Sequence, residues 1–143
     1  MKIKQISVFL ENRSGRLAGV SQVLASNNIN IRALSMSDTS DFGILRLIVD
    51  NFQKALDILQ SNGFTAKATD VLAVEVEDQP GGLEKVLTVL DKAKMNIEYM
   101  YSFVEKNQDK AIMIFRFDNI DEAIKTLSNA GIKTFKGEDI FLK

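Results

Sequence analysis

The sequence predicts an α+β protein made of two copies of one βαββαβ unit. Three observations lead to this prediction: an internal repeat, a change from alternating to helical spacing of apolar residues within each copy, and turn residues at matching positions. Apolar residues make up 45% of the 143 residues, which is enough to form a packed core in each copy.

The repeat aligns residues 10–20 with residues 76–86 at a shift of 66. After the following hairpin the shift becomes 68, so that Asp50 and Gly63 fall on Asp118 and Gly131. The second copy therefore has a hairpin two residues longer than the first. A repeat of this length is longer than a solenoid unit and contains enough elements to bury its own core.

The first strand and the first helix of each copy are predicted from a change in the spacing of apolar residues. Apolar residues alternate at the start of each copy, as in a half-buried strand, and then recur every three or four residues, as in a helix. The alternating residues are Ile6, Val8 and Leu10 in copy one and Leu72, Val74 and Val76 in copy two; the helical ones are Leu17, Val20 and Leu24, and Leu83, Val86 and Leu90.

A hairpin, a second helix and a short final strand complete each copy. Polar turns separate the predicted strands, which are residues 31–36 and 43–49 in copy one and 97–104 and 111–117 in copy two. The second helix is predicted to start after Asn51 or Asn119, which are good N-caps, and to stop at Gly63 or Gly131. This order is that of the ferredoxin-like fold, an antiparallel four-stranded sheet with both helices on one face.

The domain boundary is expected near Asp70, which gives domains of residues 1–70 and 71–143. No linker rich in Pro, Gly or Ser intervenes, and the last strand of copy one passes almost directly into the first strand of copy two. On the third strands, Ile44, Ile48, Ile112 and Ile114 are predicted to project away from the helices. That second face is too apolar for open water, so we expect packing between sheets and a homodimer.

The composition argues against several classes of function. The formal net charge is -1, which gives no positive field for nucleic acid or an anionic membrane. Cys and His are both absent, which removes the usual zinc ligands, thiolate nucleophiles and any Ser-His-Asp arrangement. The chain starts without an apolar signal core, so the sequence predicts a cytoplasmic protein with no metal and no cofactor.

The turn between the first strand and the first helix is the candidate binding element in both copies. Gly15 and Gly81 leave backbone N–H groups uncovered at a helix N-terminus, where a carboxylate is favoured. Asn12 or Asp78, three residues earlier, is placed to receive an ammonium group. A plain turn with a polar N-cap has the same appearance, and Asn30 and Asn96 can likewise be simple turn residues before the second strand.

These motifs resemble the ACT domain, the regulatory module of amino-acid-controlled enzymes, and the resemblance covers the whole chain as two copies. It implies an amino acid held between neighbouring ACT domains by the first loop of one and the second strand of its partner. The matching residues are Asn12, Gly15, Leu17, Asn30 and Ile31 in copy one, and Asp78, Gly81, Leu83, Asn96 and Ile97 in copy two.

Copy one departs from the family pattern at two positions of the loop. It has Ser14 where copy two has Pro80, and Arg16 where copy two has Gly82. Arg16 either adds a cation beside a ligand carboxylate or is simply solvated, and both Arg16 and Gly82 are candidate binding residues.

The sequence therefore predicts a non-catalytic sensor of an amino acid that passes its output to a partner enzyme or regulator. An RNA-binding module has the same element order, but it needs aromatic residues and basic charge on the open face of its sheet. An acylphosphatase-like enzyme would need Arg13 and Asn12 in a loop pattern that is missing from this sequence. A purely structural dimerisation module that has lost its ligand is the remaining alternative.

Overall fold

The computed structural model describes residues 2–11, 13–38, 41–103 and 110–137. Its elements follow the predicted order twice, with one strand common to both copies. They are β1 (Ile3–Glu11), α1 (Arg16–Ser26), β2 (Ile31–Asp38), β3 (Phe42–Val49), α2 (Phe52–Ser61), β4 (Thr65–Glu77), α3 (Gly82–Lys92), β5 (Ile97–Phe103), β6 (Lys110–Phe117), α4 (Ile120–Asn129) and β7 (Thr134–Phe135).

The described chain divides into two compact units, the first being Lys4–Thr69 and the second beginning at Asp70 and also including Ile3. The first unit has the strand order β2-β3-β1-β4, with residues 65–69 of β4 as its last strand. The second has the order β5-β6-β4-β7, in which β6 and β7 pair with the second half of β4. Each unit is ferredoxin-like, which confirms the predicted fold class.

Each unit has one helix-side core, and it contains the residues that alternation predicted. In the first unit Leu45 and Leu47 of β3 pack with residues of β1, α1 and α2 in a single cluster, so both helices cover the same face. In the second unit Phe115 and Phe117 occupy the matching positions, and their rings stack with centroids 5.7 Å apart. The predicted division of the third strands into two faces is therefore correct.

The sheet faces that point away from the helices are also partly buried. Ile48, Ile112 and Ile114 are each no more than 3% exposed, whereas Ile44 is half-buried. These residues belong to neither helix-side cluster. Their burial agrees with the expectation that this apolar face is not exposed to solvent.

The N-caps of α2 and α4 explain why both helices begin where they do. The side chain of Asn51 accepts a hydrogen bond from the Lys54 backbone N–H at 3.4 Å, and that of Asn119 accepts one from Glu122 at 3.2 Å. Each cap satisfies one of the N–H groups that a helix start leaves without a partner.

Replacing Asn119 with alanine is expected to lower the free energy of unfolding by about 1 kcal/mol, because the Glu122 N–H loses its acceptor. Urea unfolding followed by circular dichroism measures the change. Asn119→Asp keeps an acceptor oxygen and is the matched control, expected to unfold at the wild-type urea concentration within error. Equal losses of unfolding free energy in both variants would show that the hydrogen bond from Glu122 is not the cause.

Candidate functional site

The two candidate loops have the same backbone conformation at their glycines. Gly15 and Gly81 are the N-caps of α1 and α3 and have φ angles of 91° and 87°. Only glycine takes this left-handed conformation without strain. A Cβ atom added to either glycine would meet nothing within 4 Å, so both turns are open on that side.

The first turns of α1 and α3 lack the caps that α2 and α4 have. Among the described residues, no group accepts a hydrogen bond from the backbone N–H groups of Leu17 and Ala18, or from those of Leu83 and Glu84. Such groups form the positive end of the helix dipole and favour a carboxylate. Both predicted loops therefore have the exposed donors that an anionic group can use.

Predicted site residues at the other end of α1 and α3 are also accessible. Asn30 and Asn96 are exposed, and their side chains have no hydrogen-bond partner among the residues that the structure describes. The backbone of Asn30 exchanges two hydrogen bonds with Asp50, at 3.1 and 3.2 Å. Ile31 and Ile97, the next residues, are half-buried and pack against the helix-side cores.

Within one unit the loop and the asparagine are far apart. They lie at opposite ends of a helix of 11 residues, which is about 16 Å long. The structure thus does not bring Gly15 together with Asn30, or Gly81 together with Asn96, inside a single unit. A small amino acid cannot contact both ends of one helix.

Arg16 and Gly82 make the two loops differ. The Arg16 guanidinium lies over the Phe64 ring, with its carbon 4.9 Å from the ring centroid. Its Nε atom is buried and has no hydrogen-bond partner among the described residues. Arg16 is therefore packed against an aromatic ring rather than simply solvated. Gly82 is buried, and a Cβ atom there would overlap the carbonyl group of Glu77.

Four other predicted residues are Leu17, Leu83, Asp78 and Asn12. Leu17 and Leu83 are large apolar side chains left 46% and 37% exposed at the starts of α1 and α3. Asp78 is exposed, with no partner among the described residues. Asn12, which the sequence assigned to the first loop, lies outside the described residues.

A groove lies beside α3, and sequence reasoning did not predict it, although Leu83 and Ile97 in its lining are predicted site residues. It has a volume of about 630 Å³ and is lined by Leu83, Glu84, Leu87, Thr88, Leu90, Asp91, Met95 and Ile97. We call it the α3 groove. A second apolar stripe on α3, formed by Leu83 and Leu87 beside the core stripe of Val86 and Leu90, was the signal that could have revealed it.

Two kinds of functional arrangement are absent from the described residues. No group of three or more acidic side chains that could hold a metal ion occurs among them, and no described helix is both long enough and apolar enough to cross a membrane. The loops offer uncapped backbone N–H groups, and the opposite ends of α1 and α3 offer exposed amides. These are groups of the kind that interact with an anion and with a cation.

Comparison with known proteins identifies the family. Residues 1–140 match the model of the ACT domain pair, and the chain belongs to this family. ACT domains are regulatory modules, so the coarse class of the protein is that of an ACT-type regulatory protein.

Two solved structures and one sequence relative are similar to this chain. Protein BT0572 from Bacteroides thetaiotaomicron is 42% identical over 99% of this chain and 96% of its own, with a TM-score of 0.92. The ligand-free regulatory subunit of aspartate kinase from Thermus thermophilus is 19% identical, covers 89% of this chain and 91% of its own, and has a TM-score of 0.65, which shows a shared fold.

The sequence relative is the acetolactate synthase small subunit of Buchnera aphidicola subsp. Baizongia pistaciae (strain Bp). It is 32% identical over 80 residues, which are 55% of this chain and 50% of the relative. The match thus spans half of that subunit's length.

Proposed function

We propose that this protein is a non-catalytic sensor that binds an amino acid between neighbouring ACT domains and transmits the binding to a partner enzyme or regulator. The observation that carries the proposal is that both copies present uncapped helix N-termini behind left-handed glycines, with open space beside Gly15 and Gly81. The other two described helices, α2 and α4, each have one side-chain cap. The first helix of each copy has no side-chain cap, so it offers more uncapped donors than the second.

The distance along α1 and α3 supports an interface site rather than a site within one domain. A carboxylate at the Gly15 or Gly81 loop leaves an ammonium group to be bound elsewhere, and the exposed amide oxygens of Asn30 and Asn96 suit an ammonium group. Because each asparagine is about 16 Å from the loop of its own copy, the complementary group has to come from another domain. Residues 1–70 and 71–143 are the proposed domains, and the compact units that meet at Asp70 support that division.

Two findings support the proposed regulation of a partner protein: the family of the chain and one sequence relative. The sequence match to a protein named as a small subunit of an enzyme supports an output through a partner protein. Ligand binding would favour one arrangement of the ACT domains by its differential affinity for that arrangement. A cytoplasmic location, as the composition predicts, is part of the same proposal.

Thermal unfolding in the presence of each of the twenty amino acids tests the function directly. An amino acid at 100 times its dissociation constant should add about 2.7 kcal/mol to the free energy of unfolding. A stabilisation by one or a few of them, with no effect of the corresponding D-isomers, is the expected result. If none of the twenty stabilises the protein, the sensor proposal fails and the structural dimerisation module becomes the better account.

The second candidate, a dimerisation module without a ligand, is favoured by one observation. Leu17, Leu83 and the α3 groove leave apolar surface at the same places as the proposed sites, and apolar surface of this kind suits protein contacts. The thermal measurement separates the two candidates, since a module of this type has no reason to respond to an amino acid.

Replacing Asn30 and Asn96 with alanine is expected to weaken ligand binding about tenfold per site, because the hydrogen bond of an amide to a charged group is lost. Neither side chain has a described partner, so the stability of the ligand-free protein should change little. Isothermal titration with an amino acid that stabilises the wild type measures the affinity, and urea unfolding measures the stability of the ligand-free protein.

Asn129→Ala is the matched control for this pair, since Asn129 is an exposed asparagine at the end of α4 and is not one of the predicted site residues. It should bind like the wild type. Wild-type affinity in the double variant Asn30→Ala/Asn96→Ala would remove these residues from the site.

A further inference from the structure

The first half of β4, residues 65–69, has a free edge. In the strand order, β1 lies on one side of β4 and β6 lies on the other. The register with β6 starts at Leu72, and that with β7 covers Ala73 and Val74, so neither reaches residues 65–69. On the side away from β1, no described strand therefore pairs with this stretch. Unpaired N–H and C=O groups of an edge strand can pair with another chain.

Alternation along the strand shows which backbone groups point to the free edge. The N–H and C=O of one residue point to the same side, and those of the next residue point to the other side. β6 and β7 both pair with Val74, so they lie on opposite sides of β4. Glu75 donates its N–H to Lys133, directly before β7, at 3.0 Å. Odd-numbered residues thus point to the β7 side, and even-numbered residues point to the β6 side, which along residues 65–69 is the free edge.

Two side chains donate hydrogen bonds to carbonyl groups along this edge. Gln60 of α2 donates from Nε2 to the carbonyl oxygen of Ala66 at 2.9 Å. Arg116 of β6 donates from Nη1 to the carbonyl oxygen of Asp70 at 2.9 Å. Ala68 lies between these two residues of β4 and is exposed, and its carbonyl group has no described side-chain donor. A capped carbonyl group therefore lies on each side of Ala68.

A second copy of the same stretch is the partner that fits this edge. Antiparallel pairing centred on Ala68 sets two identical small residues opposite each other and sets Lys67 opposite Thr69. The same pairing sets Ala66 opposite Asp70. No like charges lie directly opposite each other, which is the arrangement that would destabilise such a pairing.

The side-chain donors occupy acceptors that this pairing needs. Residues that point out of the edge would exchange N–H and C=O bonds with the second strand, so the carbonyl groups of Ala66, Ala68 and Asp70 would all be required. Gln60 and Arg116 already donate to the first and the third of these groups. Because Gln60 reaches an outward carbonyl group, its side chain occupies the place that the backbone of a second strand would take.

The second copy of the repeat has other protection at the equivalent strand. That strand, β7, has only two residues, and Ala68 falls on Lys136 at the shift of 68. Short edge strands and lysine residues both prevent pairing at an edge. In the first copy the stretch is longer, and its one lysine, Lys67, extends over the Phe9 ring of β1 and so away from the free edge. Protection of the first copy therefore relies on Gln60.

We propose that Gln60 is an edge guard, a side chain that keeps the first half of β4 from pairing with the same strand of a second copy of the chain. The proposal concerns an association that the protein avoids, and it is independent of any ligand. It assigns a role to an exposed residue of α2 that belongs to neither candidate loop.

Cross-linking at the centre of the edge tests the proposal, because the native chain contains no cysteine. Ala68→Cys puts one thiol at the exposed midpoint, where pairing of two copies would bring two thiols together. This variant is treated with a short bismaleimide, once with Gln60 in place and once with Gln60→Ala. We expect about tenfold more cross-linked dimer without Gln60, since its hydrogen bond is lost from both edges of the pair.

Gln53→Ala is the matched control for Gln60→Ala. Gln53 lies on the same helix, but its side chain donates to Asp57 of that helix at 2.9 Å and not to the strand. Cross-linking through Ala68→Cys should stay at the level found with Gln60 in place. An equal increase in Gln53→Ala would assign the effect to a weakened α2 and overturn the guard. Equal cross-linking with and without Gln60 would overturn it too.

Hydrogen exchange of the wild-type protein gives a second readout that needs no substitution. The backbone N–H of Ala68 points to the free edge, whereas those of Lys67 and Thr69 point towards β1. The Ala68 amide should therefore exchange at least about a hundredfold faster than its two neighbours. Protection of Ala68 equal to theirs would show that the edge is already paired, and the proposal would fail.

Ala68→Lys tests whether association of the Gln60→Ala chain occurs at this edge. It introduces the residue that the second copy has at this position, and two lysines would then lie opposite each other in the pairing. Sedimentation velocity of Gln60→Ala should show species larger than those of the wild type, and adding Ala68→Lys should remove them. Larger species that persist in the double variant would place the contact elsewhere and overturn the proposal.

Discussion

Replacing Gly82 with alanine is expected to lower the free energy of unfolding by about 3 kcal/mol, the upper end of the usual cost of overpacking. The new Cβ atom would overlap the backbone carbonyl group of Glu77, and backbone cannot rotate away as a flexible side chain can. The loop from Glu77 to Gly82 is closed by backbone hydrogen bonds from Gln79 to Glu77 and from Gly82 to Gln79, both 3.0 Å long. Relieving the overlap therefore requires opening the loop that precedes α3.

Gly19→Ala is the matched control for this prediction. Gly19 is in the interior of α1, and a Cβ atom there would lie 3.4 Å from the Phe64 ring, a side chain that can shift slightly. Alanine is favoured over glycine inside a helix by about 1 kcal/mol, so Gly19→Ala should be neutral or stabilising. If urea unfolding gave similar stabilities for Gly82→Ala and the wild type, the close approach of α3 to Glu77 would be wrong.

The same contact explains why the two loops are not equivalent. Copy one has Arg16 at the position of Gly82, and an arginine Cβ atom cannot fit against a carbonyl group as closely as Gly82 does. The first loop must therefore leave more room before its helix. We expect the two proposed sites to differ in affinity for this reason, in addition to the cation that Arg16 brings to the first loop.

Replacing Phe115 with alanine is expected to cost about 4 kcal/mol, since Phe→Ala in a fully buried core usually costs 3–5 kcal/mol. Phe115 is 0% exposed and stacks on Phe117 with an angle of 14° between the ring planes. Removing the ring leaves a cavity in the helix-side core of the second unit and exposes the face of Phe117 to it. Urea unfolding, followed by fluorescence of an added dye or by circular dichroism, measures the loss.

Phe42→Ala serves as the control for ring size at a surface position, since Phe42 is 53% exposed. Its cost should be well under half that of Phe115→Ala, because much of the ring is already in water. Similar losses for the two variants would mean that the second unit does not pack around Phe115 as described.

Much of the fold could be predicted because local patterns and tertiary packing agree. Alternation at Leu45 and Leu47 identified the helix-side face of β3, and Asn51 and Asn119 marked helix starts where their side chains do act as caps. These features depend on neighbours in sequence, so a single sequence shows them. The duplication strengthened each assignment, since two independent stretches had to agree.

The details of the candidate site could not be predicted in the same way. Arg16 stacks on Phe64, 48 residues away in sequence, and the close approach of Gly82 to Glu77 depends on the path of the loop between them. The α3 groove depends on the spacing between α3 and the start of β5, which is set by packing rather than by hydrophobic period. Contacts of this kind leave no periodic trace in the sequence.

The single strand β4 (Thr65–Glu77) carries the chain from the first unit into the second. Here the connection consists of extended backbone that takes part in the sheet of each unit. Loss of the pairing of β4 would therefore remove backbone hydrogen bonds from both units at once.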